Sequence, residues 1–285
     1  RGGYDVALVH NDQFTQSPGV LRFLQVPSVY YCPETLRKAY DPVVPRPYSS
    51  LTGLAAWADA ANVLRYAYMR AVKREDRTNL ESASLVLTNS RFTRETIFRL
   101  HGVESRVCYL GTDTDLFRPL GLPKGDFFLS VGSIAPNKGF DFVISSLAML
   151  PDYQRLPLVI VGNASNQEER QYLERLAARS GVTVKFRVLI SDEELVELYN
   201  QARVTLYAPI LEPFGLVPLE SMACGTPVIG VAEGGLRETI RHGETGLLTD
   251  REPKLFADAV QSLLEDPSRL DLYGEQGPDY VRSAW

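Results

Sequence analysis

Residues 208–228 read Ala208-Pro209-Ile210-Leu211-Glu212-Pro213-Phe214-Gly215-Leu216-Val217-Pro218-Leu219-Glu220-Ser221-Met222-Ala223-Cys224-Gly225-Thr226-Pro227-Val228. Val204-Thr205-Leu206-Tyr207 lies just before this stretch, and Ile229-Gly230-Val231 follows it. A short β-branched run, a Pro- and Gly-rich turn, an apolar segment of helical length, a second turn and a second short apolar run spell strand, crossover helix, strand. That is the βαβ unit of a parallel sheet covered on both faces.

The same alternation extends outward. Strands are expected at 127–131, 156–161, 182–186, 204–208 and 227–231, with helices near 139–150, 166–180, 192–201, 215–224, 235–241 and 253–265. Together they make one complete doubly wound α/β domain. Before it, the run Gly111-Thr112-Asp113-Thr114-Asp115-Leu116-Phe117-Arg118-Pro119, followed by Gly121, Pro123 and Gly125, is the densest turn chemistry in the chain. It reads as the linker between a domain over 1–118 and a domain over 119–285. The first domain is sparser: strands at 5–10, 27–31, 85–88 and 106–110, and helices near 15–24, 51–78 and 91–101, with no Gly-rich turn after the opening strand.

Composition excludes several classes. The 285 residues suit two domains at roughly 150 residues each, and 45% hydrophobic with 23% charged residues is globular rather than disordered. A net charge of −5 gives no global positive field for nucleic acid. Cys32, Cys108 and Cys224 form neither a disulfide framework nor a C-x-x-C pattern, which fits a reducing, cytoplasmic compartment. No apolar run approaches membrane-spanning length and no signal peptide opens the chain. The sequence begins without Met and enters a strand almost at once, so it reads as a fragment or a trimmed chain.

Ligands of open α/β sheets bind beyond the carboxyl ends of the strands, so the loops there carry the chemistry. After 208, Glu212 sits on the loop, residues 215–217 open a helix whose free N–H groups favour an anion, and Glu220 follows within the helix. Two acids around a phosphate-friendly helix start suit a ligand with hydroxyls at both ends and phosphate between; a capped core helix with a surface Glu at each end is the plainer reading. After 131, Gly132, Ser133, Lys138 and Gly139 can deliver one cation and several amides to phosphate, although the Walker A spacing is absent. After 231, Glu233-Gly234-Gly235 enters a third helix.

Taken together, Glu212-Pro213-Phe214-Gly215 with Glu220, the run Ala223 to Val228, Gly234-Gly235 with Glu238, and Gly243 to Leu247 resemble the donor domain of GT-B glycosyltransferases of family 4, the retaining Glu-x7-Glu group. Gly132 with Lys138-Gly139, Asn89 to Thr93, the Gly111 linker and the strand 5–10 extend the resemblance upstream. It implies two Rossmann-like domains, the N-terminal one incomplete. It also implies a hexosyl transfer from a UDP- or GDP-sugar to a hydroxyl acceptor, without metal or other cofactor.

Carried over by residue, Glu220 would hold the ribose and Glu212 the transferred sugar. Lys138, aided by the amides of Phe214, Gly215, Leu216 and Val217, would neutralise the diphosphate. The loop after Phe186, running from Arg187 through Val188 and Leu189 to Ile190, would face the base, and His10 would lie beside the reacting sugar, although a packed or turn histidine is the simpler reading of the residue alone. Gly132 and Ser133 complete the donor loop.

Two departures stand out. Members commonly carry Arg where this chain has Ser133, and they begin with a Gly-rich acceptor loop upstream of Arg1. A donor-binding module with little transfer and a nucleotide-sugar epimerase on the same fold are therefore the alternatives. Asp113-Thr114-Asp115 spells a D-x-D metal motif, but its turn setting makes Asp a cap former. Residues 65–77 interleave Arg65, Arg70, Lys73, Arg74 and Arg77 with Tyr66 and Tyr68, a pattern suited to a solvated helix face or to peripheral contact with an anionic membrane.

Overall fold

A computed structural model describes residues 3–11, 16–48, 62–163 and 166–285. The chain divides into two compact units, Arg1–Tyr109 and Leu110–Trp285. The division falls at 109/110 rather than at 118/119, because Leu116 and Phe117 of the expected linker, and Leu110 at the end of the strand expected before it, pack against the core of the second unit.

The first unit has a parallel sheet of β1 (Ala7–His10), β2 (Ser28–Tyr31), β3 (Leu85–Thr88) and β4 (Arg106–Val107), in that order. Its described helices are a single turn, α1 (Arg37–Tyr40), then α2 (Val63–Glu81) and α3 (Arg91–His101). Ser90 caps α3 by accepting from Thr93 N–H, as its sequence suggests. The expected helix near 15–24 is a 3-10 turn, Gly19–Phe23. Of the helix expected at 51–78, residues 51–61 lie outside the described residues, and the described part runs on to Glu81. Leu21, Tyr30, Cys32, Leu80, Val86 and Ile97 form this unit's core.

The second unit holds β5 (Phe128–Val131), β6 (Leu158–Gly162), β7 (Val184–Val188), β8 (Val204–Tyr207), β9 (Val228–Val231) and β10 (Gly246–Thr249), all parallel. Across the sheet the order is β10-β9-β8-β5-β6-β7. The chain fills one side from β5 to β7 and then returns to lay β8 against the free edge of β5. The strand order reverses between β5 and β8, and beyond their carboxyl ends the loops diverge to opposite faces and leave a crevice. The buried faces of β6, β8 and β9 explain why they read as continuous apolar runs.

The helices are α4 (Phe140–Leu147), α5 (Gln167–Ser180), α6 (Asp192–Gln201), α7 (Leu216–Ala223), the single turn α8 (Leu236–Thr239), α9 (Pro253–Leu264) and α10 (Pro267–Ala284). Two elements go beyond the sequence reading, β10 and α10. In α10, Gly274, Gly277 and Pro278 look like helix breakers. Packing requires the second glycine: a Cβ at Gly277 would meet the Met222 carbonyl oxygen of α7 at 2.6 Å. No described helix is long and apolar enough to cross a membrane.

Candidate functional site

The two loops that flank the switch point bring Lys138 and Glu212 together. Lys138 closes the turn after β5, and Glu212 sits on the loop after β8, joined by an ion pair of 2.9 Å from Nζ to Oε2. Their side chains are only 18% and 16% exposed, so the pair is less screened than a surface one. The backbones are joined as well: Ile210 N–H donates to the Asn137 carbonyl at 2.8 Å. Gly132 and Ser133 follow β5 directly, and Gly132 N–H is tied to the Val161 carbonyl of β6.

No side chain caps the helices that open after β5, β8 and β9; their N-cap residues are Gly139, Gly215 and Gly235. First-turn N–H groups have no partner within a helix, so the starts of α4 and α7 offer them to an anion, whereas at α8 Gly235 N–H already donates to the Glu212 carbonyl and Leu236 N–H to the Glu233 carbonyl. In α7 these are the amides around Gly215, Leu216 and Val217, since Pro218 has none. Phe214 is buried against Trp285, with ring centroids 5.3 Å apart, which seats the loop on the core.

Glu220 lies about one turn into α7 and is held by a residue the sequence did not point to. Tyr199 O–H of α6 donates to Glu220 Oε2 at 2.8 Å. Burial raises the Glu220 carboxyl above the ordinary glutamate range; the tyrosine bond pulls it down and Asp192 adds a further upward push. Burial and the neighbouring Glu220 charge likewise hold the Tyr199 phenol well above its ordinary value, so it stays a donor. Its backbone is anchored too: Thr226 Oγ1 donates to the Tyr199 carbonyl, and Lys124 Nζ donates to Thr226 Oγ1. Desolvation brings the Lys124 ammonium down to about 8. No sequence spacing marks Tyr199, because its link to Glu220 is made across two packed helices.

Of the base-side residues, Arg187 and Val188 are not in a loop; they complete β7, whose pairing with β6 extends to Val188 opposite Gly162. Sequence reading ended the strand at 186 because Arg187 breaks the apolar run, but β7 is an edge strand that turns Lys185 and Arg187 outward. Leu189 follows with a positive φ of 57° and is 77% exposed. With β7 two strands from β5, these residues lie roughly 10 Å along the sheet edge from the Lys138 turn.

His10 ends β1 in the first unit, exposed, with its ring 5.9 Å from that of Tyr31. Asp113 behaves as a turn former: its carboxylate accepts from the N–H groups of Asp115 and Leu116. Among the described residues no cluster of three or more His, Cys, Asp or Glu is placed to hold a metal ion.

Comparison with known proteins bears on the family and the fold. A sequence model of glycosyl transferases group 1 matches residues 113–279. The D-inositol 3-phosphate glycosyltransferase of Acidothermus cellulolyticus is 37% identical over 227 residues, which cover 72% of this chain and 51% of that protein. Human alpha-1,3/1,6-mannosyltransferase ALG2 is 30% identical over 226 residues, 70% of this chain and 54% of that one. The chain thus spans about half the length of the curated relatives it matches. Among solved structures, sucrose-phosphate synthase from Thermosynechococcus elongatus superposes with a TM-score of 0.78 at 26% identity, covering 98% of this chain and 69% of that one. Anabaena HepE in complex with UDP-glucose gives 0.75 at 21% identity, with 98% and 74% covered. Both sheets are of the GT-B kind, and the chain belongs to the glycosyl transferases group 1 family.

Proposed function

We propose that this chain binds the donor in a retaining, metal-independent hexosyltransferase of family 4, which passes a hexosyl unit from a UDP- or GDP-sugar to a hydroxyl acceptor in glycan, glycolipid or polysaccharide synthesis. The observation that carries the reading is the meeting of Lys138 and Glu212 at the switch point, among three helix starts without side-chain caps. Relatives named as glycosyl- and mannosyltransferases support it, as does a fold shared with HepE, whose structure contains UDP-glucose.

In this reading Lys138 and the α7 amides stabilise charge on the departing diphosphate. Phosphate competes with Glu212 for Lys138, which turns the Glu212 carboxylate toward the hydroxyls of the hexose. Glu220, held by Tyr199, accepts from the ribose diol, and Arg187 to Leu189 face the base. The bond from the anomeric carbon to the diphosphate oxygen breaks, and the acceptor oxygen bonds to that carbon on the same face. The acceptor proton goes to the departing phosphate oxygen. His10 is assigned to the acceptor side. Three free cysteines, Cys32 and Cys224 buried and Cys108 exposed, suit a reducing cytoplasmic compartment.

The test is an equilibrium titration with UDP, GDP and their hexose conjugates. Binding of one nucleotide, with transfer to an offered acceptor, is the expected outcome; silence toward both on a folded sample removes the reading. Binding without transfer favours a donor-binding module, an alternative motivated by Ser133. Donor consumed without any acceptor marks an epimerase.

Peripheral membrane contact is part of the same proposal. Residues 1–109 carry 14 Lys and Arg against 10 Asp and Glu, whereas residues 110–285 carry 16 against 25. On α2 of the basic part, Val63, Leu64, Tyr66 and Tyr68 are exposed beside Arg65 and Arg70. Anionic vesicles should therefore float the protein at low salt and neutral vesicles should not; equal flotation with both removes this element.

A further inference from the structure

Arg251 lies just beyond β10 and draws four strand-end segments together. Its Nε and Nη2 donate to the two oxygens of Glu233 at 2.7 and 2.8 Å, a bidentate pair with the loop after β9. Nη1 donates to the Ala208 carbonyl at 3.0 Å, and Nη2 also donates to the Pro209 carbonyl at 2.7 Å, the first two residues of the loop that carries Glu212. The guanidinium also stands over the Phe142 ring of α4, 5.3 Å from its centroid, one turn beyond Lys138 and Gly139. One side chain therefore contacts the segments after β5, β8 and β9 from the end of β10.

The Glu233 half of the contact passes directly to Glu212. Gly235 N–H donates to the Glu212 carbonyl at 2.8 Å, and a Cβ on Gly234 would meet that same carbonyl oxygen at 2.3 Å. The backbone of Glu212 thus rests on the turn that Glu233 begins, while its entry at Ala208 and Pro209 is held by Arg251 itself. With Glu233 on two of its nitrogens, the guanidinium is already neutralised. That leaves it a holder of loops rather than a second cation for phosphate, and a planar five-donor fork suits such a role where an ammonium does not.

We propose that Arg251 is a positioning residue for the Lys138–Glu212 pair, fixing the loop that presents Glu212 to the sugar end of the donor. The assignment of that end to the sugar rests on the function proposed above; the effect on the pair itself does not.

Two measurements test it, each with Arg251→Met and Arg251→Lys. The first needs no ligand: the coupling between Lys138→Met and Glu212→Gln, read as non-additivity of thermal midpoints, is measured in the wild-type and Arg251 backgrounds. A coupling of about 2 to 4 °C in the wild type is expected to vanish with Arg251→Met and to return in part with Arg251→Lys. Undiminished coupling in both backgrounds overturns the proposal.

The second measurement compares the nucleoside monophosphate with the nucleotide sugar of whichever base binds. Arg251→Met should weaken the nucleotide sugar about tenfold or more and leave the monophosphate within about threefold, with partial rescue by lysine. Equal losses for both ligands would assign Arg251 to general domain stability and overturn the positioning role. If wild type binds no nucleotide, the function reading fails, and the coupling experiment still decides the role of Arg251. Should the methionine variant not fold, Glu233→Gln with Arg251→Lys carries the same comparison.

Discussion

Two flanks of one sheet edge begin their helices in opposite ways. After β5, β8 and β9 the helices start on glycine without a side-chain cap, whereas after β6 and β7 they start on Asn166 and Ser191, whose side chains accept from the first-turn N–H groups. Asn166 takes Glu168 and Glu169, and Ser191 takes Glu194; their first turns carry two and three acids, against one each in α4 (Asp141) and α8 (Glu238) and none in α7. A sealed, acidic start repels an anion; an open start beside Lys138 attracts one. Under the proposed function, the difference would place the phosphates at β5 and β8 and leave the flank at β6 and β7 to an uncharged base.

The comparison breaks most visibly at Lys138. Lys138→Met removes the one cation paired with Glu212 at the open starts, and transfer should fall by about 100- to 1000-fold, near 3 to 4 kcal/mol, in steady-state kinetics with the preferred donor. An unchanged kcat would place the phosphate elsewhere.

Glu220→Gln should weaken nucleotide binding by about 1 to 3 kcal/mol, read by titration. It carries a pH signature as well. The folded-state carboxyl is raised above its unfolded value, so its contribution to stability is favourable while it is protonated. That contribution is lost as pH rises from the ordinary glutamate range through the elevated folded value. The neutral glutamine variant should therefore gain on wild type over that window in urea unfolding; a difference that is flat with pH contradicts the burial argument. Tyr199→Phe deletes the bond that pulls the carboxyl down, so the same window should extend to higher pH.

The smallest effect sharpens the other flank. Ser191→Ala and Asn166→Ala each remove a cap and should cost about 1 kcal/mol of stability with no change in nucleotide affinity. Loss of affinity in either would mean that the sealed helices also touch the ligand.

Much of this is legible in the sequence. The βαβ alternation locates nine of the ten strands among the described residues because parallel strands buried on both faces read as short apolar runs bounded by turn residues. Gly132, Lys138, Glu212, Gly215 and Glu220 are legible as candidates because strand-end loops in such sheets are where ligands bind, and these loops combine glycine, a cation and acids. β10 is not legible as a strand, although Gly243 to Leu247 carries motif residues, since Gly246-Leu247-Leu248-Thr249 is too short to separate from the turn before it. Helix α10 is not legible because its glycines argue locally against helix, while the helix packs on α7.

By itself the sequence determined the alternation of elements, the doubly wound class of the second unit and the residue types at its strand ends, all set by local periodicity and turn chemistry. Only the tertiary structure decided which of those residues meet. The ion pair of Lys138 with Glu212, the tyrosine that holds Glu220 and the four segments gathered by Arg251 join residues far apart in the chain. Strand order, not sequence order, sets which loops are neighbours, and it lays β8 against β5.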